Sequence, residues 1–291
     1  LERVECTFLS GQSGSLLHHY EDDRLDVYAD LSPTELNRAR QRYAGEYVTG
    51  PRLSLDFVGF DVKRPPFDDR RVRRAFTLAT DRETLADVTL RGYASPATGG
   101  FVPPGMPGHS PGIGQPYDPD SARRLLAEAG FPDGRGFPAI QCIARDDPGH
   151  DLLSAHLAAQ WREILGVEVN WEEIEWARFP ERMSGDPPHV WMVGFWADYP
   201  DPDDYLRVVW WLPPGWQPQV YERLVEDARR VLDQRERMRL YQQADRILVE
   251  DAPVLPLCYA RVHMLVKPWV RKYITSPLRW WYWKHVVLEP H

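Results

Sequence analysis

Short apolar runs of strand length and longer amphipathic stretches alternate along these 291 residues. Runs at 4–9, 53–60, 139–144, 167–174 and 254–259, and one opening at Trp191, read as strands, with a shorter extended piece at 25–27. Helical periodicity predicts helices over 13–20, 33–43, 70–80, 81–90, 118–129, 150–165, 221–232 and 234–250. Several boundaries carry their own chemistry. Ser32-Pro33-Thr34-Glu35 supplies an N-cap, a proline at the first helical position and a glutamate three residues on. Asp68 and Asp69 cap the helix at 70, Asp118-Pro119 caps the one at 118, and Gly45, Gly130 and Gly166 act as stops.

The helix over 70–80 places Val72, Ala75, Phe76 and Ala79 on one face. Arg70, Arg71, Arg73 and Arg74 lie opposite and read as a solvated face rather than an anion site. Helix, glycine and strand in succession over 150–174 return the chain to a sheet, so the alternation predicts an α/β fold with a mixed sheet flanked by helices. Residues 91–115 are rich in Gly and Pro and form a long ordered loop. Gly112-Ile113-Gly114 lacks a third glycine and a strand-to-helix setting, which rules out a dinucleotide fingerprint.

The run from Trp191 breaks at once into Phe195-Trp196-Ala197-Asp198-Tyr199-Pro200-Asp201-Pro202-Asp203-Asp204. A buried strand therefore ends in a loop stiffened by two prolines. A carboxylate among aromatic rings holds an incoming cation more strongly than a solvated one, which makes Asp198 a candidate ligand residue with Phe195, Trp196 and Tyr199 around it. The same residues also fit an acidic surface turn whose aromatics belong to the core.

Composition narrows the classes. The chain is 43% hydrophobic and 27% charged with a net charge of −8, and no basic stripe occurs on the predicted helices, so nucleic-acid contact is excluded. Twelve tryptophans supply core volume and stacking walls. Cys6, Cys142 and Cys258 fit no metal spacing and read as small buried hydrophobes in strands. No apolar run reaches the roughly 18 residues of a membrane span, and no signal peptide opens the chain.

Catalytic chemistry finds no motif. The nine histidines show no H-x-x-x-H pattern. Ser13, in Gly11-Gln12-Ser13-Gly14-Ser15, lacks the last glycine of a nucleophile elbow. Prolines break the spacing that Asp198, Asp201, Asp203 and Asp204 would need to hold calcium. The reading is a binding protein with no metal and no cofactor.

Trp196-Ala197-Asp198-Tyr199, with the acidic Pro-rich residues after it, resembles a segment of the family 5 extracellular solute-binding proteins, the peptide receptors of ABC importers. Lys63-Arg-Pro-Pro-Phe-Asp-Asp69 through Asp81-Arg82, Val102 to Pro107, Tyr117 to Gly130, Val254 to Tyr259 and Val266 to Val270 match the family in the same order. The resemblance implies a periplasmic-binding-protein-like (type II) lobe over 1–260 and a tail, 261–291, that returns to a first lobe missing ahead of Leu1. Trp269, Trp280, Trp281 and Trp283 in that tail would need partners. In peptide receptors the aspartate matching Asp198 pairs with the ligand's α-ammonium group, and Trp176 falls in a segment near the cleft, or else is a core aromatic. Met192 stands where some oligopeptide receptors carry an arginine for the ligand carboxylate. Family members also bind sugars, nickel complexes or haem.

The implied partners are a peptide or other small molecule, a transporter permease and the missing lobe. The implied location is the outer face of the cytoplasmic membrane. A second reading makes the same lobe a ligand-sensing or protein-contact module of a larger regulatory protein, in the cytoplasm.

Overall fold

The computed structural model describes all residues except 1, 8–15, 208–214, 217, 274, 279–282 and 291, and the side chain of residue 148. Its elements in chain order begin with α1 (Leu17–Glu21), β1 (Val27–Tyr28), α2 (Leu36–Arg42) and β2 (Tyr47–Phe60). They continue with α3 (Arg70–Leu78), α4 (Arg82–Thr84), a π-helical turn (Leu85–Thr89), β3 (Ala94–Pro96), α5 (Pro119–Glu128) and β4 (Cys142–Arg145). Next come α6 (Pro148–Leu165), β5 (Trp171–Ile174), α7 (Phe179–Gly185), β6 (Val190–Trp196) and α8 (Pro202–Leu206). The last are α9 (Gln219–Arg230), α10 (Gln234–Asp251), β7 (Val254–Val266), β8 (Val270–Arg271) and β9 (Val287–Leu288). The fold is mixed α/β.

These elements form two compact units, one of residues 53–259 and one of 1–52 with 260–291, and the division falls within β2 and β7. In the larger unit β4 runs parallel to both β5 and β6, and β6 pairs antiparallel with β2, with Asp56 opposite Gly194 and Ser54 opposite Trp196. The C-terminal ends of β4, β5 and β6 thus share one edge. Crossovers through α6 and α7 make this arrangement possible, because parallel neighbours cannot be joined by a tight turn.

The core of the larger unit is aromatic. Phe60, Phe67, Phe76 and Trp161 are fully buried, with ring centroids 4.8 to 6.2 Å apart. Trp161 donates its indole N–H to Thr80 at 3.1 Å, so its one polar group is satisfied inside. Asp69, Asp118 and Asp147 each cap a helix by accepting a backbone N–H in the first turn. Gly166 closes α6 at φ 68°, a left-handed conformation that a side chain disfavours.

On the arginine face of α3, Arg70 and Arg71 are exposed as expected and Arg73 departs from that reading. Arg73 is buried and donates to the carbonyls of Phe67 and Asp251 and to the Asp251 carboxylate. Arg70 reaches the Glu250 carbonyl at 2.9 Å, and Arg71 reaches that of Glu128 at 2.8 Å. Guanidinium groups of one helix therefore bind the carbonyls left open at the C-terminal ends of α10 and α5, where the helix dipole favours positive charge.

In the smaller unit α2 starts three residues after the expected point. Glu35 folds back onto the Ser32 N–H and hydroxyl, and also accepts from the Leu17 N–H and the Tyr28 hydroxyl. A buried carboxylate serving several donors holds this turn out of the helix. Residues 2–7 form no strand, so Cys6 is exposed, whereas Cys142 and Cys258 are buried, and all three are unbridged. Trp269 donates to Asp26 at 2.8 Å, and Trp283 packs edge-on against Tyr273. Ser13, Trp280 and Trp281 lie outside the described residues.

Candidate ligand-binding site

The edge where β4, β5 and β6 end collects the polar and aromatic residues of interest. β6 is apolar and buried through Phe195 and then surfaces, leaving Trp196 half exposed at 47% and Asp198 exposed. Phe195 turns inward, edge-on to Tyr205 at 4.8 Å, so it supports the turn from below. The Ala197 N–H still pairs with the Leu53 carbonyl at 2.9 Å, and the chain leaves the sheet immediately afterwards.

The turn is built around its own acids. Asp201 caps α8 by accepting the Asp203 N–H, and it forms a two-pronged pair with Arg237 of α10 at 2.6 and 2.7 Å. Asp203 accepts from Arg207 at 2.7 Å and from Tyr199 and Tyr241 at 3.1 Å each. The Tyr199 hydroxyl is therefore engaged inside the turn. Asp204 is fully buried and takes the Asp198 N–H at 2.7 Å. Among the described residues no guanidinium or ammonium pairs with the Asp198 carboxylate.

Trp176 follows β5 and lies at the same edge, two strands from β6 and so about 10 Å away across the sheet. It is 43% exposed, stacks on Phe179 at 5.6 Å, and carries the Arg145 guanidinium 5.5 Å from its ring centroid. Arg145 ends β4, between the other two strands, and makes no ion pair among the described residues. Beside it, at the start of α6, His150 lies 3.5 Å from Asp56, which also accepts from the Cys258 thiol at 3.6 Å.

The edge thus brings together Asp198, Trp196 and Trp176, with Tyr199 and Phe195 as supports. It adds Arg145, which the sequence reading passed over, and Asp204, which that reading weighed only as a calcium ligand. Arg145 had one signal available, since the last residue of a parallel strand is where open α/β sheets place ligand groups. Asp204 had none, because burial of one aspartate among several is a tertiary fact. Met192 is buried, and among the described residues no cluster of three or more His, Cys, Asp or Glu could hold a metal. No described helix is long and apolar enough to cross a membrane.

Comparison with known proteins agrees with this architecture. The chain is 29% identical over 234 residues to di/tripeptide-binding protein 1 of Pseudomonas aeruginosa, covering 77% of this chain and 43% of that protein. It is 27% identical over 235 residues to heme-binding protein A of Haemophilus influenzae, covering 77% and 43%. The solved structure of the Escherichia coli murein tripeptide binding protein superposes with a TM-score of 0.80 at 23% identity, covering 94% of this chain and 56% of that one. The chain spans about half the length of these proteins. Residues 1–212 match the model of the bacterial extracellular solute-binding proteins, family 5 middle region, so the chain belongs to that family of extracellular solute-binding proteins.

Proposed function

We propose that this chain supplies one wall of a cleft that binds short peptides for an ABC importer and releases them unchanged, with no catalytic step. The observation that carries the reading is the sorting of the turn's acids. Asp201 and Asp203 are neutralised by Arg237 and Arg207, while Asp198 stays exposed at the sheet edge with no cationic partner among the described residues. An exposed carboxylate on a turn stiffened by Pro200 and Pro202 is pre-organised for an ammonium group.

Arg145 at the neighbouring strand end supplies the opposite charge for a carboxylate, which a zwitterionic peptide requires and a simple amine does not. Trp176 and Trp196 offer flat walls that accept varied side chains. Peptide-binding names among the relatives point the same way. In this reading the other wall comes from the part of the relatives' length that this chain does not span, residues 261–291 return towards it, and lobe closure reports occupancy to a permease at the outer face of the cytoplasmic membrane.

Calorimetry with di- to pentapeptides on the natural protein that contains this chain tests the reading. Asp198→Ala is expected to weaken binding by about 1 to 3 kcal/mol, the scale of a lost charge-assisted hydrogen bond. Unchanged affinity removes Asp198 from the site.

A further inference from the structure

Asp198 and Asp204 form an unbalanced pair. Arg237 belongs to Asp201, and Arg207 and Arg229 approach Asp203 at 2.7 and 3.7 Å. No positive side chain pairs with either of the remaining two acids among the described residues, although one accepts the other's backbone N–H. Asp204 is fully buried, and its Oδ1 has no hydrogen-bond partner among the described residues. The Tyr205 hydroxyl, equally buried on the same short helix, also has none among them. A buried carboxylate with an open oxygen is costly when charged, so it calls for a proton or a cation.

Resting on the peptide-receptor reading above, we infer that Asp204 is the second carboxylate of the ammonium site, a positioning residue that presents Asp198 through its backbone and yields its proton to solvent when a cationic group docks. Burial first, and the negative charge of Asp198 next among the effects that raise it, push the Asp204 carboxyl up to about 6, while N–H donors at Asp198 and Tyr199 pull the other way. Asp203 adds a further negative field. The other titratable groups of the turn and of the helices packed on it are Tyr199 and Tyr205 on this turn, Arg229 on α9, and Tyr241 and Arg237 on α10. None of these supplies Asp204 with a counter-charge. A ligand ammonium at Asp198 does so, cancelling the repulsion and lowering the proton affinity of Asp204.

Peptides of two to five residues without ionisable side chains, titrated into the natural protein in two buffers of different ionisation enthalpy, test this. At pH 6 binding is expected to release about half a proton, and affinity to fall roughly tenfold between pH 7 and pH 5. Asp204→Asn keeps an oxygen for the Asp198 N–H and is expected to bind with neither proton release nor that pH slope. Should that variant fail to fold, the Asp204 carboxyl carbon resonance of the wild type decides. It should titrate near pH 6 when free and stay ionised to pH 5 when loaded. Binding without proton exchange, or the same exchange in Asp204→Asn, overturns the inference and leaves the peptide reading standing. A wild type that binds none of the peptides overturns both.

Discussion

Two charged regions of the larger unit differ in whether their charges balance internally. Around the C-terminal end of α10, Arg70 and Arg73 answer Asp251 and the last carbonyls of that helix. At the end of β6 the chain matches two acids of the turn with arginines and, among the described residues, leaves two unmatched. Both regions look alike in composition, as acids and arginines in close succession. The difference teaches that charge which closes on itself serves stability, while charge left open at a sheet edge is what the proposed ligand site would use.

The largest effect expected from breaking this contrast comes at Arg73. Arg73→Met removes a buried guanidinium and leaves the Asp251 carboxylate and the carbonyls of Phe67, Asp68 and Asp251 without it, and should lower stability by about 3 kcal/mol in denaturant unfolding. Peptide affinity should stay within twofold, because nothing at the β6 edge is touched. Asp198→Ala should show the reverse pattern, with the loss in binding given above and a change in unfolding free energy within about 0.5 kcal/mol.

Asp245 sharpens the contrast through pH. It is fully buried, accepts the Phe101 N–H at 2.7 Å, and has an Oδ2 with no hydrogen-bond partner among the described residues. A Cβ on Gly100 would strike this carboxylate, so loop and helix are in close contact there. Burial pushes the carboxyl up to about 7 from an ordinary 3.8. Ionisation is therefore harder in the folded protein than in the unfolded chain. The penalty is absent below about pH 4, grows as pH rises, and levels off above about pH 7. Thermal unfolding of Asp245→Asn should accordingly lose less stability than wild type between pH 5 and pH 8. If the two lose the same amount, Asp245 is not a strained acid.

The smallest effect is expected at Arg145. Arg145→Met should cost about 1 kcal/mol in affinity for peptides with a free C-terminus and almost nothing for the C-terminal amides. Equal losses for both would assign Arg145 to packing on Trp176 rather than to ligand charge.

Much of the fold was legible because its signals are local. Alternation at 53–60, the Asp118-Pro119 cap and the Gly166 stop each depend on a few neighbouring residues, and each element appears near its expected place. The misreadings share a cause. Arg70 and Arg71 are exposed as expected, but Arg73 is not, because it is drawn inward by a carbonyl 178 residues away in sequence, which carries no signature in the side-chain pattern. Glu35 does accept the Ser32 N–H as its capping spacing implies, but the Leu17 and Tyr28 groups that also claim it come from separate elements and leave no local sign.

By itself the sequence determined the α/β class, the strand that ends at Trp196, the stiff acidic turn beyond it and the candidacy of Asp198, because periodicity, proline and aromatic clustering act over short spans of chain. Only the tertiary structure decided which acids are neutralised, that Asp204 is sealed beneath Asp198, and that Arg145 and Trp176 stand at the same sheet edge. Those outcomes depend on strand order and on helices returning from distant parts of the chain, and electrostatic energy follows distance in space rather than separation along the sequence.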